Sequence, residues 1–173
     1  AQVKDNGQIN MALCCDFLAW RLSLCAEVEP ELTLEERREA LLRLHNASWL
    51  NIWNATAAYY HALRGEPERI PELFAQHRLS AVNILAPGKP MMEMIENQVY
   101  LAQGACAKVI GRSEGLLAMC EGMHYALVAL HVRIQTAVAY ERLGKHTEAR
   151  ALLRQALSDG EPDGLVMPFV ENY

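Results

Sequence analysis

Apolar residues recur along most of this chain at intervals of three and four, the spacing that lines one face of an α-helix. Between Ile9 and Val28, the residues Leu13, Phe17, Trp20 and Leu24 fall on such a face, and Pro30 stops the run. Thr33 with Glu36 three places later forms a capping box, predicting a helix that carries Leu34, Arg37, Ala40, Leu41 and Leu44. Leu50, Trp53, Ala57 and Tyr60 mark a helix over 48–64, ended by Gly65. Pro67 opens another toward Leu79, with Pro71 as a restart. Residues 80–90 read as a loop, because Pro87-Gly88-Lys89-Pro90 cannot propagate a helix. Helices are then expected over 91–110, ended by Gly111; over 113–122, capped by Ser113; over 124–143, ended by Gly144; and over 147–158, before the turn cluster Gly160-Glu161-Pro162-Asp163-Gly164. No segment alternates apolar and polar residues as a strand does. Helices joined by short turns should pack as antiparallel neighbours.

Three helix-ending glycines precede similar text: Gly65-Glu66-Pro67, Gly111-Arg112-Ser113-Glu114 and Gly144-Lys145-His146-Thr147-Glu148. The last two lie 33 residues apart and the first two 46, which is 33 plus a 13-residue insertion placed at the 80–90 loop. A period near 34 built of helix–turn–helix units is the tetratricopeptide signature. The final unit carries it best, with Ala137, Tyr140, Gly144, Ala149, Leu153 and Ala156 at packing positions. Small Ala137 and Ala149 let two helices approach, Tyr140 and Leu153 fill the space beside them, and Gly144 supplies the left-handed turn. The expected fold is all-α: a right-handed α–α superhelix of tetratricopeptide-like helix pairs, one segment over residues 1–173. An irregular helical bundle is the alternative.

The composition fits a folded helical domain. Of 173 residues, 51% are hydrophobic and 21% charged, and ten Gly with seven Pro are too few for a turn-rich β fold. The net charge of -5 opposes direct contact with nucleic acid. The longest fully apolar run, Tyr125 to Leu130, is far too short to cross a membrane. Five cysteines without a C-x-x-C pair read as buried, reduced thiols of a cytoplasmic protein. The chain begins at Ala1 without a signal-peptide pattern, and is expected to be a piece of something longer.

From about Tyr59 onward the chain resembles the helical-repeat region of LuxR-family regulators of the MalT-like type. The stretch from Tyr140-Glu141-Arg142-Leu143-Gly144-Lys145 through Ala149 to Leu157 resembles the last repeat of that region. Gly160-Glu161-Pro162-Asp163-Gly164-Leu165-Val166-Met167-Pro168-Phe169-Val170 is similar to the tail that follows it, and Met94 to Ile110 to the preceding long helix. The resemblance implies an effector-sensing or protein-interaction segment of a bacterial transcription regulator. Its tail, 160–173, would lead to a DNA-binding helix-turn-helix. No G-x-x-x-x-G-K-[ST] phosphate loop is present, so no nucleotide-binding residue carries over.

In such a stack the first helix of each pair lines the concave face. By repeat phase those positions include Tyr59, Gln98, Leu101, Lys108, His131, Ile134 and Glu141. They are the expected binding wall for a small-molecule effector or a regulatory protein. A stand-alone scaffold that docks peptides or forms a homo-oligomer is the second reading. Cys120, His124 and His131 share a helical spacing, but no acid or second Cys–His pair joins them, so neither metal nor cofactor is expected. Trp49 and Trp53 read as core, Met91, Met92 and Met94 as cavity filling, and Glu35-Glu36-Arg37-Arg38-Glu39 as a solvated helix face. No nucleophile can be tied to a base, so catalysis is not expected.

Overall fold

The structure, a computed structural model, describes residues 8–26 and 30–172. Every regular element among them is helical. The helices are α1 (Ile9–Ser23), α2 (Leu34–Arg43), α3 (Ala47–Leu63), α4 (Glu72–Ala75), α5 (Lys89–Ala102), α6 (Cys106–Gly122), α7 (Ala126–Arg142), α8 (His146–Gly160) and α9 (Met167–Val170). The expected extension of α1 to Val28 and the last residue of the 160–173 tail lie outside the described residues.

Local chemistry sets the starts. The Thr33 hydroxyl accepts from the Glu36 N–H at 3.2 Å, and the Glu36 carboxylate accepts from the Thr33 N–H at 2.8 Å, completing the expected capping box. The Thr33 backbone bond holds the Glu36 carboxyl below the usual range. Asn46 caps α3 by accepting from Ser48 and Trp49 at 3.0 and 3.3 Å. The helix expected from Pro67 to Leu79 does not form. A 3₁₀ turn (Pro67–Arg69) and the four-residue α4 replace it, because Pro71 cannot donate and holds the preceding residue extended. Fully buried Phe74 anchors this stretch. Two further 3₁₀ turns (Leu79–Ala81 and Ala86–Gly88) occupy the expected loop.

The corners correct the sequence register. Gly104 and Gly144 both sit at φ +74°, and His124 at φ +57°. At each, the corner N–H reaches the carbonyl three residues back and the next N–H reaches five back. These bonds are Ala105 to Tyr100 at 2.8 Å, Tyr125 to Cys120 at 2.8 Å and Lys145 to Tyr140 at 2.9 Å. That pair of bonds is the Schellman motif. Gly111 is not a corner but lies inside α6, and Ser113 is no cap: its hydroxyl donates back to the Ile110 carbonyl at 2.8 Å. The long helix expected over 91–110 is therefore broken at Gly104. His124, expected to begin the helix over 124–143, is itself the corner before it, since αL is costly but accessible to a side chain at one position.

Packing follows. α3, α5 and α7 contact one another in series, α6 bridges α5 and α7, and α8 packs on α7. α1 and α2 rest on α3, and α9 rests on α7. The main core gathers Tyr59, Phe74, Met94, Val99, Leu116 and Val132. A second core holds Leu13, Trp20, Leu34, Leu41 and Trp53, with Trp49 against it, as expected for the tryptophan stripe. Ala137, Ala149 and Ala156 are buried and Tyr140 half-buried, but Leu153 is 40% exposed and fills no gap. Cys106 and Cys120 are buried, whereas Cys14, Cys15 and Cys25 are exposed, against expectation. Among the described residues no helix is long and apolar enough to cross a membrane.

Two substitutions separate the corners from the helix interior. Gly111→Ala meets nothing within 4 Å at helical φ, and is expected to raise stability by up to about 1 kcal/mol. Gly144→Ala also meets open space but carries the left-handed penalty, and is expected to lower stability by about 1–2 kcal/mol. Urea midpoints of the two variants should move in opposite directions.

Candidate functional site

A buried guanidinium needs a carboxylate, because an unpaired charge in the interior is strongly destabilising. Arg21, near the end of α1, finds one in Glu171, 150 residues away and just beyond α9. The pairing is bidentate: Arg21 Nε donates to Glu171 Oε1 at 2.6 Å and Nη2 to Oε2 at 2.8 Å. The Glu171 side chain is completely shielded and that of Arg21 is 13% exposed. Tyr59 of α3, fully buried, donates its hydroxyl to Glu171 Oε2 at 3.1 Å. His131 of α7 closes the cluster, with Nε2 at 3.4 Å from Arg21 Nη2 and Nδ1 at 3.5 Å from the Tyr59 oxygen. The Arg21 guanidinium also lies 5.3 Å from the Phe17 ring centre and 5.6 Å from that of Tyr59.

The donor inventory orders the protons. Arginine only donates, so Nε2 of His131 accepts. Nδ1 then carries the hydrogen and faces the Tyr59 oxygen, while the Tyr59 O–H points to Glu171. Burial, and then the Arg21 charge, lower the His131 value to about 3, so the ring is neutral. Burial, and then the Glu171 charge, hold the Tyr59 phenol protonated well above its ordinary range. Burial works against the charge of Arg21, but the Glu171 hydrogen bonds and the surrounding charges outweigh it, and its proton is held more tightly than usual.

The seven expected wall residues do not share one surface. Tyr59 and His131 meet in this interior cluster. Gln98 is buried and accepts from Gln135 Nε2 at 3.0 Å, a side chain that also donates to the Met94 carbonyl at 3.1 Å. Leu101 is buried, its carbonyl taking a 2.7 Å bond from Arg142. Ile134 packs with Leu130, Ala156 and Phe169. Lys108 and Glu141 are exposed, Lys108 over the Tyr100 ring at 5.1 Å and Glu141 bonded to His146 at 2.9 Å. Of the seven, Tyr59, Gln98, Leu101, His131 and Ile134 are thus buried within the fold, and Lys108 and Glu141 are exposed. Arg21 and Glu171 escaped sequence reading because neither belongs to a motif.

The run Glu35-Glu36-Arg37-Arg38-Glu39 is not simply solvated, for Arg37 is buried against Asp16 of α1. A second polar cluster surrounds Tyr100. His77 stacks on that ring at 3.8 Å, and Arg112 pairs with Glu96 at 2.6 Å and Glu93 at 3.5 Å. Opposite charges there neutralise one another. A groove of 1160 Å³ runs beside Leu117, Cys120, Tyr125, Arg133 and Leu165 and is crossed by an Arg133–Asp159 pair at 3.1 Å. Among the described residues no three His, Cys, Asp or Glu side chains are gathered to hold a metal ion.

No protein-family model matches the chain, and no curated protein or solved structure matches it.

Removing one partner of the Arg21–Glu171 pair strands a buried charge, so Arg21→Met is expected to cost about 3–5 kcal/mol in chemical unfolding. Adding Glu171→Leu to that variant should recover much of the loss, whereas independent sites would add their costs.

The His131 shift gives a pH signature. Between the ordinary histidine value of about 6.5 and its folded value of about 3, the unfolded chain binds a proton that the folded chain refuses. This contribution to stability is therefore present above the unfolded value and is lost as the pH falls through the window. His131→Gln is expected to flatten the slope, by on the order of 1 kcal/mol per pH unit, in urea titrations from about pH 4 to 7.

Proposed function

We propose that this chain is an effector-sensing or protein-interaction segment, a stack of tetratricopeptide-like helix pairs of the kind found in LuxR-family, MalT-like regulators. It binds and relays and does not catalyse. The observation that carries this reading is the Arg21–Glu171 pair, which joins the first and last described helical regions across Tyr59 and His131. Two helical regions that meet at one buried polar site have a definite way to report occupancy of that site. Ligand that favours the parted regions shifts the population, and the shift is limited by its unequal affinity for the two states.

Other features support the reading. The left-handed corners at positions 104, 124 and 144 stand twenty residues apart, a regular spacing of helical hairpins that is longer per pair than the 34 residues of the tetratricopeptide signature, with α3, α5 and α7 in series. Burial raises the Cys120 thiol, opposite to what an activated nucleophile needs. The net charge of -5 suits a segment that leaves DNA contact to another module.

The scaffold reading has one observation of its own. Leu157 and Val166, 50% and 65% exposed, border a 740 Å³ groove between α8 and α9, on a face where a further helix pair could stack. A thermal-shift panel of sugars, amino-acid derivatives and acyl metabolites decides between the two. A true effector at one hundred times its Kd is expected to add about 2.7 kcal/mol. Silence across the panel, with a mass that grows with concentration in sedimentation, would transfer the assignment to the scaffold.

A further inference from the structure

We infer that Arg21, Tyr59 and His131 form a receptor for the carboxylate of a small monocarboxylic acid, and that Glu171 is the built-in stand-in which such a ligand displaces. This names the ligand class of the sensing site proposed above and rests on that reading.

The donors fit one ligand shape. The Arg21 fork meets two coplanar oxygens at 2.6 and 2.8 Å, and Tyr59 adds a third donor to one of them at 3.1 Å. Two parallel N–H bonds to a planar anion are the geometry arginine uses for carboxylates. The balance of charge selects a monoanion. Arg21 is the cation of the cluster, His131 is neutral, and Tyr59 keeps its proton. A dianion such as phosphate would bury one charge without compensation. The Phe17 and Tyr59 rings flank the guanidinium at 5.3 and 5.6 Å, so the walls around the head group suit an apolar tail.

The receptor and the stand-in belong to different parts of the chain. Arg21 and Tyr59 sit on α1 and α3, which pack directly on each other, and His131 on α7 within the main helical array. Glu171 follows α9, a helix of four residues connected to α8 through a 3₁₀ turn and a left-handed Gly164 at φ +63°. α9 itself rests on α7, with Pro168 as its buried residue. The carboxylate can therefore leave with a short segment while its three partners keep their frame. The residual exposure of Arg21 marks the side from which a competing anion would approach.

The test uses the full chain carrying Glu171→Ala, which removes one CH₂–COO⁻ unit, the size of acetate. Thermal unfolding is followed with sodium acetate, acetamide and sodium chloride at matched concentration and ionic strength. Acetate is expected to raise the midpoint by several degrees, saturably, while acetamide and chloride do not, and Arg21→Met in the same chain should abolish the difference. Equal effects of acetate and acetamide overturn the receptor. If the alanine variant is unfolded in chloride, helical circular dichroism is the readout: recovery with acetate and not with acetamide supports the receptor, and recovery with neither overturns it. On the wild-type chain, hits from the effector panel should be monocarboxylic acids whose methyl esters are silent. Acetate rescue without any wild-type hit keeps the receptor and removes the sensing reading. Wild-type hits indifferent to esterification, without rescue, remove the receptor and leave sensing intact.

Discussion

A guanidinium taken out of water dictates where the end of this chain must go. Arg21 projects from α1 into a space walled by aromatic rings, where only a carboxylate with both oxygens available can compensate it. Glu171 supplies those oxygens, and Tyr59 and His131 from two further helices complete the coordination. Four segments far apart in sequence are thereby required to coincide. Apolar packing alone would tolerate a slip of any of them by part of a turn.

The interior repeats this logic in milder form. Gln135 on α7 donates to a carbonyl and a side chain of α5, and Arg142 reaches the Leu101 carbonyl on the same helix. Arg37 of α2 is tied to Asp16 of α1. Each polar contact is worth little net free energy once desolvation is counted. Their effect is registry: a helix sliding past its neighbour would leave donors buried and unpaired.

Much of the helical content was legible from periodicity, because local signals carried it. Thr33 with Glu36, Gly65 and Gly144 at their corners, and Pro87 with Gly88 before α5 all act within a few residues. The repeat register was not legible. Gly111 looks like a stop in sequence, yet a glycine inside a helix costs only about 1 kcal/mol, which the burial of Val109 and Leu116 on either side easily outweighs. His124 takes the left-handed corner that glycine would signal. The burial of five candidate wall residues was not legible for a different reason. Tyr59 and His131 do meet through their side chains, but no local pattern announces that residues 21 and 171 pair beside them. Pairing across 150 residues is decided by the whole tertiary arrangement.

The equal spacing of the corners at 104, 124 and 144 invites the insertion of one more helical hairpin. The tie between Arg21 and Glu171 forbids it. One inserted pair would carry the tail roughly one helix diameter, about 8–10 Å, from its mate, and a hydrogen bond does not stretch that far. The ion pair is thus a ruler, matched to the helices described between α1 and α9.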